Sequence, residues 1–215
     1  SEHILFWKNI INLPEIISLA VQTSHYVSQY MTVYQTEHLN NLPEDVQRQL
    51  QVLRENCEAK LNNAQVVTDF TVKYINLVTI YSGLLLLGTQ EDIRKSINLL
   101  ENILFSFQQV SFHAFIDPIF TNIIIGYFSL KDYTKVDTSY KRYRKLTDGK
   151  SINPENDLTL HGFYYVAKWL MTKRKQYIKK FENVINQTNN PSLERTKRLL
   201  LEVGSYFDIP IKVID

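Results

Sequence analysis

Histidine, cysteine and paired carboxylates are the side chains from which catalysis or metal binding would have to be built, and this chain offers few of them. Five histidines, His3, His25, His38, His113 and His161, include no pair one helical turn apart, the spacing that lets two imidazoles on one helix face share a zinc ion. Glu37 and His38 are adjacent and so point in different directions on a helix. Asp157 and His161 are one turn apart, which suits a helix-surface ion pair, with a general acid–base dyad as the alternative. Cys57 is the single cysteine, so there is neither an internal disulfide nor a cysteine-based zinc site. It lies in a helical segment, where a buried small hydrophobe is the expected role and a reactive thiol the alternative. Six scattered glycines form no phosphate-cradling loop, and no serine carries a nucleophile motif. The expectation is a chain that catalyses nothing and holds no metal and no cofactor.

Charge is the more informative chemistry. The net charge is only +2, but residues 1–125 hold 7 Lys/Arg against 12 Asp/Glu, and residues 126–215 hold 17 against 10. The basic half groups its cations. Lys141, Arg142, Arg144 and Lys145 share one segment, Lys173, Arg174, Lys175, Lys179 and Lys180 another, and Arg195, Lys197 and Arg198 follow, with Tyr140, Tyr143 and Tyr177 interleaved. Aligned along a surface, these would form a stripe able to meet phosphates or an acidic protein. The alternative is an ordinary solvated face.

The elements that must position these residues read as helices. A 44% hydrophobic and 21% charged composition over 215 residues is that of a folded chain with ample core, and six glycines with six prolines are few for an all-β protein. Helical apolar spacing predicts a short helix over 2–12 and a long one from Pro14 to about Leu39. After the Asn40, Asn41 and Pro43 break comes another, carrying Val46, Leu50, Leu53, Cys57, Leu61 and Ala64. Residues 1–62 therefore read as an N-terminal helical-hairpin cap. Residues 63–215 read as helix pairs: 67–87 with 92–108, 112–130 with 133–146, and 155–171 with 176–187. A capping helix over 192–207 and an extended tail, 209–214, complete them. Gly88 is expected to end its helix in the left-handed conformation. The longest apolar runs, around Leu84–Leu87 and Ile123–Ile125, are too short to span a bilayer. No signal peptide is visible after Ser1, which suggests a processed start, and a cytoplasmic location is expected.

In the middle pair, Phe120, Ile123, Ile124, Tyr127, Leu130, Tyr133, Val136, Tyr140 and Tyr143 resemble the tetratricopeptide repeat, and Tyr127–Tyr133 looks much like its inter-helix turn. Ile124 and Val136 stand where the family has small residues, and Tyr143 where it has alanine. Those swaps should splay the helices. The flanking pairs fit more loosely: corresponding positions Ser96, Val136 and Tyr177 are 40 and 41 residues apart, against a family period of about 34. The resemblance covers about residues 65–190. It implies an all-α, right-handed α-α superhelix of antiparallel helix pairs, with the first 62 residues outside the pattern. A generic helical bundle is the alternative, but an isolated pair cannot bury its own apolar face and needs a neighbour to cover it.

In that family the first helix of each pair lines a concave groove. Position by position this selects Val78 and Ser82, then Thr121, Asn122, Ile125 and Phe128, then His161, Tyr165 and Lys168. Asn122 matches a position whose amide holds a ligand backbone. The implied function is a non-catalytic adaptor or regulatory module binding a protein or peptide through apolar and aromatic anchors. A nucleic-acid-binding helical repeat using the basic half is the alternative. The cap-plus-array layout also looks like the peptide-sensing domains of bacterial regulators. No lysine pair matches the family's clamp for a terminal carboxylate.

Overall fold

The computed structural model describes residues 42–64, 71–106, 113–150 and 153–212, together with 18, 19 and 21–23. Among the described residues eight α-helices with full bounds run in order: α1 Glu44–Ala64, α2 Thr71–Leu86, α3 Gln90–Ser106, α4 His113–Ser129, α5 Tyr133–Leu146, α6 Pro154–Thr172, α7 Lys175–Asn186 and α8 Glu194–Tyr206. A 3₁₀ turn, Pro191–Leu193, leads into α8. The described residues contain no strand, so the all-α expectation holds. The helices pack as antiparallel pairs, α2 with α3, α4 with α5 and α6 with α7. No described helix is long and apolar enough to cross a membrane. The expected helices over 2–12 and 14–39 lie outside the described residues, apart from helical turns at 18, 19 and 21–23.

Two compact units share the chain, one holding α1 to α3 and the other α4 to α8. In the first, α1 lays Val46, Leu50, Leu53 and Cys57 against Leu77, Tyr81, Leu84 and Leu85 of α2, and Leu19 joins the same core. Those α1 positions recur every three or four residues, so one stripe is buried while the rest of the helix stays wet. Cys57 is wholly enclosed, and burial pushes its thiol up to about 11, so it packs as a small hydrophobe.

The start of α3 is a reciprocal capping box. The Asp92 amide donates to Thr89 Oγ1 at 3.1 Å and the Thr89 amide donates to Asp92 Oδ2 at 2.9 Å. Arg54 of α1 also reaches Asp92, Nη2 to Oδ1 at 2.9 Å. Burial alone would raise the Asp92 pKa, but the Thr89 amide and Arg54 outweigh it and hold the carboxyl below its ordinary value. This corrects the reading of Gly88. Its φ is not among the positive values, and Gly149 is the glycine that takes a left-handed turn. Gly88 is needed for space, because a Cβ there would sit 2.2 Å from Asp92 Oδ2.

In the second unit α6 is central. It packs against α4, α5, α7 and α8. Asn153 caps its first turn, accepting from the amides of Glu155 at 3.0 Å and Asn156 at 3.4 Å, and Pro154 fills a position where the missing N–H loses nothing. The Asn153 amide donates to Asp117 Oδ2 of α4 at 2.9 Å, so the start of α6 is pinned to the previous pair. Gly162 lets α8 come close, since a Cβ there would lie 2.3 Å from Leu200 Cδ2, and Leu200 is itself wholly buried. Gly162→Ala is expected to destabilise this unit by about 1–3 kcal/mol through overpacking. In chemical denaturation, Gly162→Ala with Leu200→Ala should lose less than the sum of the two single changes.

The tail that follows α8 folds back on its own unit. Ile209 is buried, Ile211 lies over Gly204 beside Phe181, and the Lys212 amide donates to Glu182 Oε1 at 3.0 Å.

Candidate functional site

Tyr143, read in the sequence as standing for an alanine of the tetratricopeptide pattern, lies in the core of the second unit. It is wholly buried, with its ring 5.6 Å from that of Phe120. Its hydroxyl lies 3.0 Å from Asp117 Oδ1 of α4 and 3.2 Å from Asp157 Oδ1 of α6. One phenol thereby joins three helices, drawing on two carboxylates with a single proton. Ile124 and Val136, the other departures, are wholly buried.

Asp157 and His161 do meet, Nδ1 to Oδ1 at 3.5 Å, but the shorter contact is from Nδ1 to the Asp157 carbonyl oxygen at 2.6 Å. The ring thus donates down its own helix, as a structural histidine does, and its face lies edge-on to Tyr140 at 5.4 Å. Arg144 approaches Asp157 at 3.9 Å. His3, His25 and His38 lie outside the described residues. Among the described residues no group of three His, Cys, Asp or Glu side chains is placed to hold a metal ion.

Alongside this network α6 carries a strip of rings. Tyr140 of α5 stacks on Tyr164 at 3.9 Å with planes 11° apart, Tyr164 meets Tyr165 at 5.4 Å, and His161 lies 6.1 Å from Tyr165. From α7, Lys180 sits 5.7 Å from the Tyr165 ring and 5.8 Å from that of Tyr177, while Lys168 lies 5.9 Å from Tyr177. Tyr164, Tyr165, Trp169 and Tyr177 are half-buried, and Tyr140 is nearly covered. The strip is therefore anchored on its inner side and open on its outer side, between the second helices α5 and α7. Burial raises the phenol pKa of Tyr164 to about 12 with help from nearby Asp137, and burial raises those of Tyr140 and Tyr165. All three are neutral hydroxyls at physiological pH.

Asp137 of α5 binds two cations at the edge of the strip, Lys141 at 2.7 Å and Lys168 at 3.2 Å, and its side chain is only 13% exposed. Burial pushes its pKa up, but the two ammonium groups outweigh burial and leave it below the ordinary value. A depressed carboxylate adds stability above its unfolded pKa of roughly 4 and loses it as pH falls through the folded value. Asp137→Asn should therefore flatten the acid side of the stability curve below about pH 4, read as denaturation midpoints against pH, and change its shape little above pH 6.

Of the residues selected for a groove, Val78 and Ser82 lie in the first unit and are wholly buried. Thr121, Ile125 and Phe128 are buried in the second, where the Phe128 ring meets Tyr133, Phe163 and Phe207. Asn122, His161, Tyr165 and Lys168 keep partial exposure, and the last three share the α6 strip. The basic residues divide in the same way. Lys141 is bound to Asp137 and Arg144 leans on Asp157, with Arg142 and Lys145 exposed on α5. Lys173, Arg174, Lys175, Lys179 and Lys180 are exposed together around the α6–α7 connection. Tyr164, Trp169 and Tyr177 were not among the groove residues. Reading α6 as a face flanked by second helices, rather than as the floor of a groove, would have included Tyr164 and Trp169, and Tyr177 joins them from the first turn of α7.

Comparison with known proteins finds no matching family model, no matching curated protein and no matching solved structure.

Proposed function

We propose that this chain is a non-catalytic binding module that takes a polypeptide segment of another protein along the ring strip of α6, between α5 and α7. The observation that carries this reading is the half-exposed series Tyr164, Tyr165, Trp169 and Tyr177, fixed from behind by Tyr140 and His161 and edged by Lys168 and Lys180. Such rings supply large contact area at little entropic loss, because their packing has already fixed the rotamers. The helix pairs are tetratricopeptide-like in this reading, with Tyr143 substituting a buried hydrogen-bonded tie for close helix approach. Binding then uses the outer strip rather than a groove floor, since Thr121, Ile125 and Phe128 are core.

Selection from a random peptide display library tests this. Enriched peptides should bind the wild-type chain and lose at least about tenfold in affinity against Tyr165→Ala,Tyr177→Ala, the change expected when ring anchors are truncated. Peptides that bind both chains equally would place the binding face elsewhere.

A further inference from the structure

We infer that the partner segment is acidic, and that it docks its carboxylates on the cations around the α6–α7 connection. This rests on the protein-binding reading and adds the chemistry of the partner. From Leu158 to Phe181 the chain has no Asp or Glu, yet it carries Lys168, Lys173, Arg174, Lys175, Lys179 and Lys180. Among the described residues, no carboxylate lies within ion-pair distance of Lys173, Arg174, Lys175, Lys179 or Lys180, whereas Lys141, Arg144 and Lys168 have Asp137 or Asp157. Five exposed cations on about two helical turns repel one another, and an anionic partner offsets that repulsion. Those on the first turn of α7 also oppose the helix dipole, as no acidic residue stands there.

Two features favour a carboxylate-bearing polypeptide over a nucleic-acid strand. The first is that the rings already carry cations: Lys173 sits 4.6 Å from the Trp169 ring, and Lys180 caps both Tyr165 and Tyr177. A base stacking on these rings would have to displace the ammonium groups, whereas a carboxylate can pair with them in place. The second is that the cations do not continue as a stripe. Lys141 and Lys168 already face Asp137 and Arg144 already faces Asp157, which leaves the cations of the α6–α7 connection as a compact patch rather than part of a track for a phosphate backbone.

The test uses the full chain carrying Trp7→Phe, so that Trp169 is its sole tryptophan. Its fluorescence is followed against a short Asp/Glu-rich peptide with leucine anchors, the same peptide with Asn/Gln, and an oligothymidylate of equal charge. The acidic peptide is expected to perturb Trp169 and to bind at least about tenfold more tightly than its amide version, the difference narrowing as salt rises. Lys179→Glu,Lys180→Glu should weaken it about tenfold or more, while Lys145→Glu, an exposed cation outside the patch, should leave it within about twofold. Circular dichroism confirms that these surface variants remain folded. Equal binding of the acidic and amide peptides would overturn the acidic partner and leave protein binding standing. Tighter binding of the oligothymidylate, lost in the double reversal, would overturn both in favour of a nucleic acid. An equal effect of Lys145→Glu would show attraction to net charge and overturn the patch.

Discussion

Phe128→Ala is expected to destabilise the unit of α4 to α8 by roughly 3–5 kcal/mol, the largest effect of any single change considered. Phe128 is almost wholly buried, and its ring makes edge contacts with Phe163 at 4.9 Å, Tyr133 at 5.4 Å and Phe207 at 5.8 Å. These partners come from α6, from the start of α5 and from the residue that closes α8, so truncation opens a cavity where three helices converge. Surrounding rings cannot collapse into that space without breaking their own contacts. Denaturation followed by Trp169 fluorescence, in the same unit, reads the effect directly. Tyr165→Ala provides the contrast: partly exposed on α6, it should cost about 1 kcal/mol of stability and weaken peptide binding by several-fold, less than the double change with Tyr177→Ala.

Asp117→Ala is the second large effect, with an expected loss of about 2–4 kcal/mol. Asp117 is only 2% exposed and receives the Tyr143 hydroxyl and the Asn153 amide on its two oxygens. Removing the carboxylate takes an acceptor from the buried Tyr143 hydroxyl and from the part-buried Asn153 amide at the start of α6, which loosens the joint between the two helix pairs. Tyr143→Phe removes one hydrogen bond and keeps the ring in place, so it should cost less, about 1–2 kcal/mol. If the two variants lost the same amount, the Asn153 contact would contribute nothing and the joint would rest on Tyr143 alone. Hydrogen exchange at the amides of Asn153, Glu155 and Asn156 resolves the two cases, because only the Asp117 change should release the cap.

The helices were legible because their signals are local. Stripes at three- and four-residue steps and the Asn40, Asn41 and Pro43 break each act within one or two turns; the caps at Asn153 and Asn190 emerge only in the structure. Tyr133–Leu146 matches its expected bounds, and α6, α7 and α8 differ from theirs by one or two residues at their ends. Gly88 was misread because its requirement comes from Asp92, four residues on, folding back in a capping box that also receives Arg54 from α1. The cation groups were visible in the sequence, but their pairing was not. Asp137 lies four residues from Lys141, an ordinary helix spacing, while its contact with Lys168 depends on how α5 meets α6. Ile125 and Tyr165, 40 residues apart, were both read as groove residues, and only packing separates them: Ile125 is buried, while Tyr165 keeps partial exposure beside Lys180 of α7.

The central claim is that the outer strip of α6 takes a polypeptide. The most direct measurement is site-specific photo-crosslinking with benzoylphenylalanine placed at Tyr165, at Tyr177, or at exposed Ser205 on α8, using a peptide selected by display. The account predicts crosslinks from positions 165 and 177 and none above background from 205. Crosslinking from 205 alone, or equally from all three positions, would contradict it.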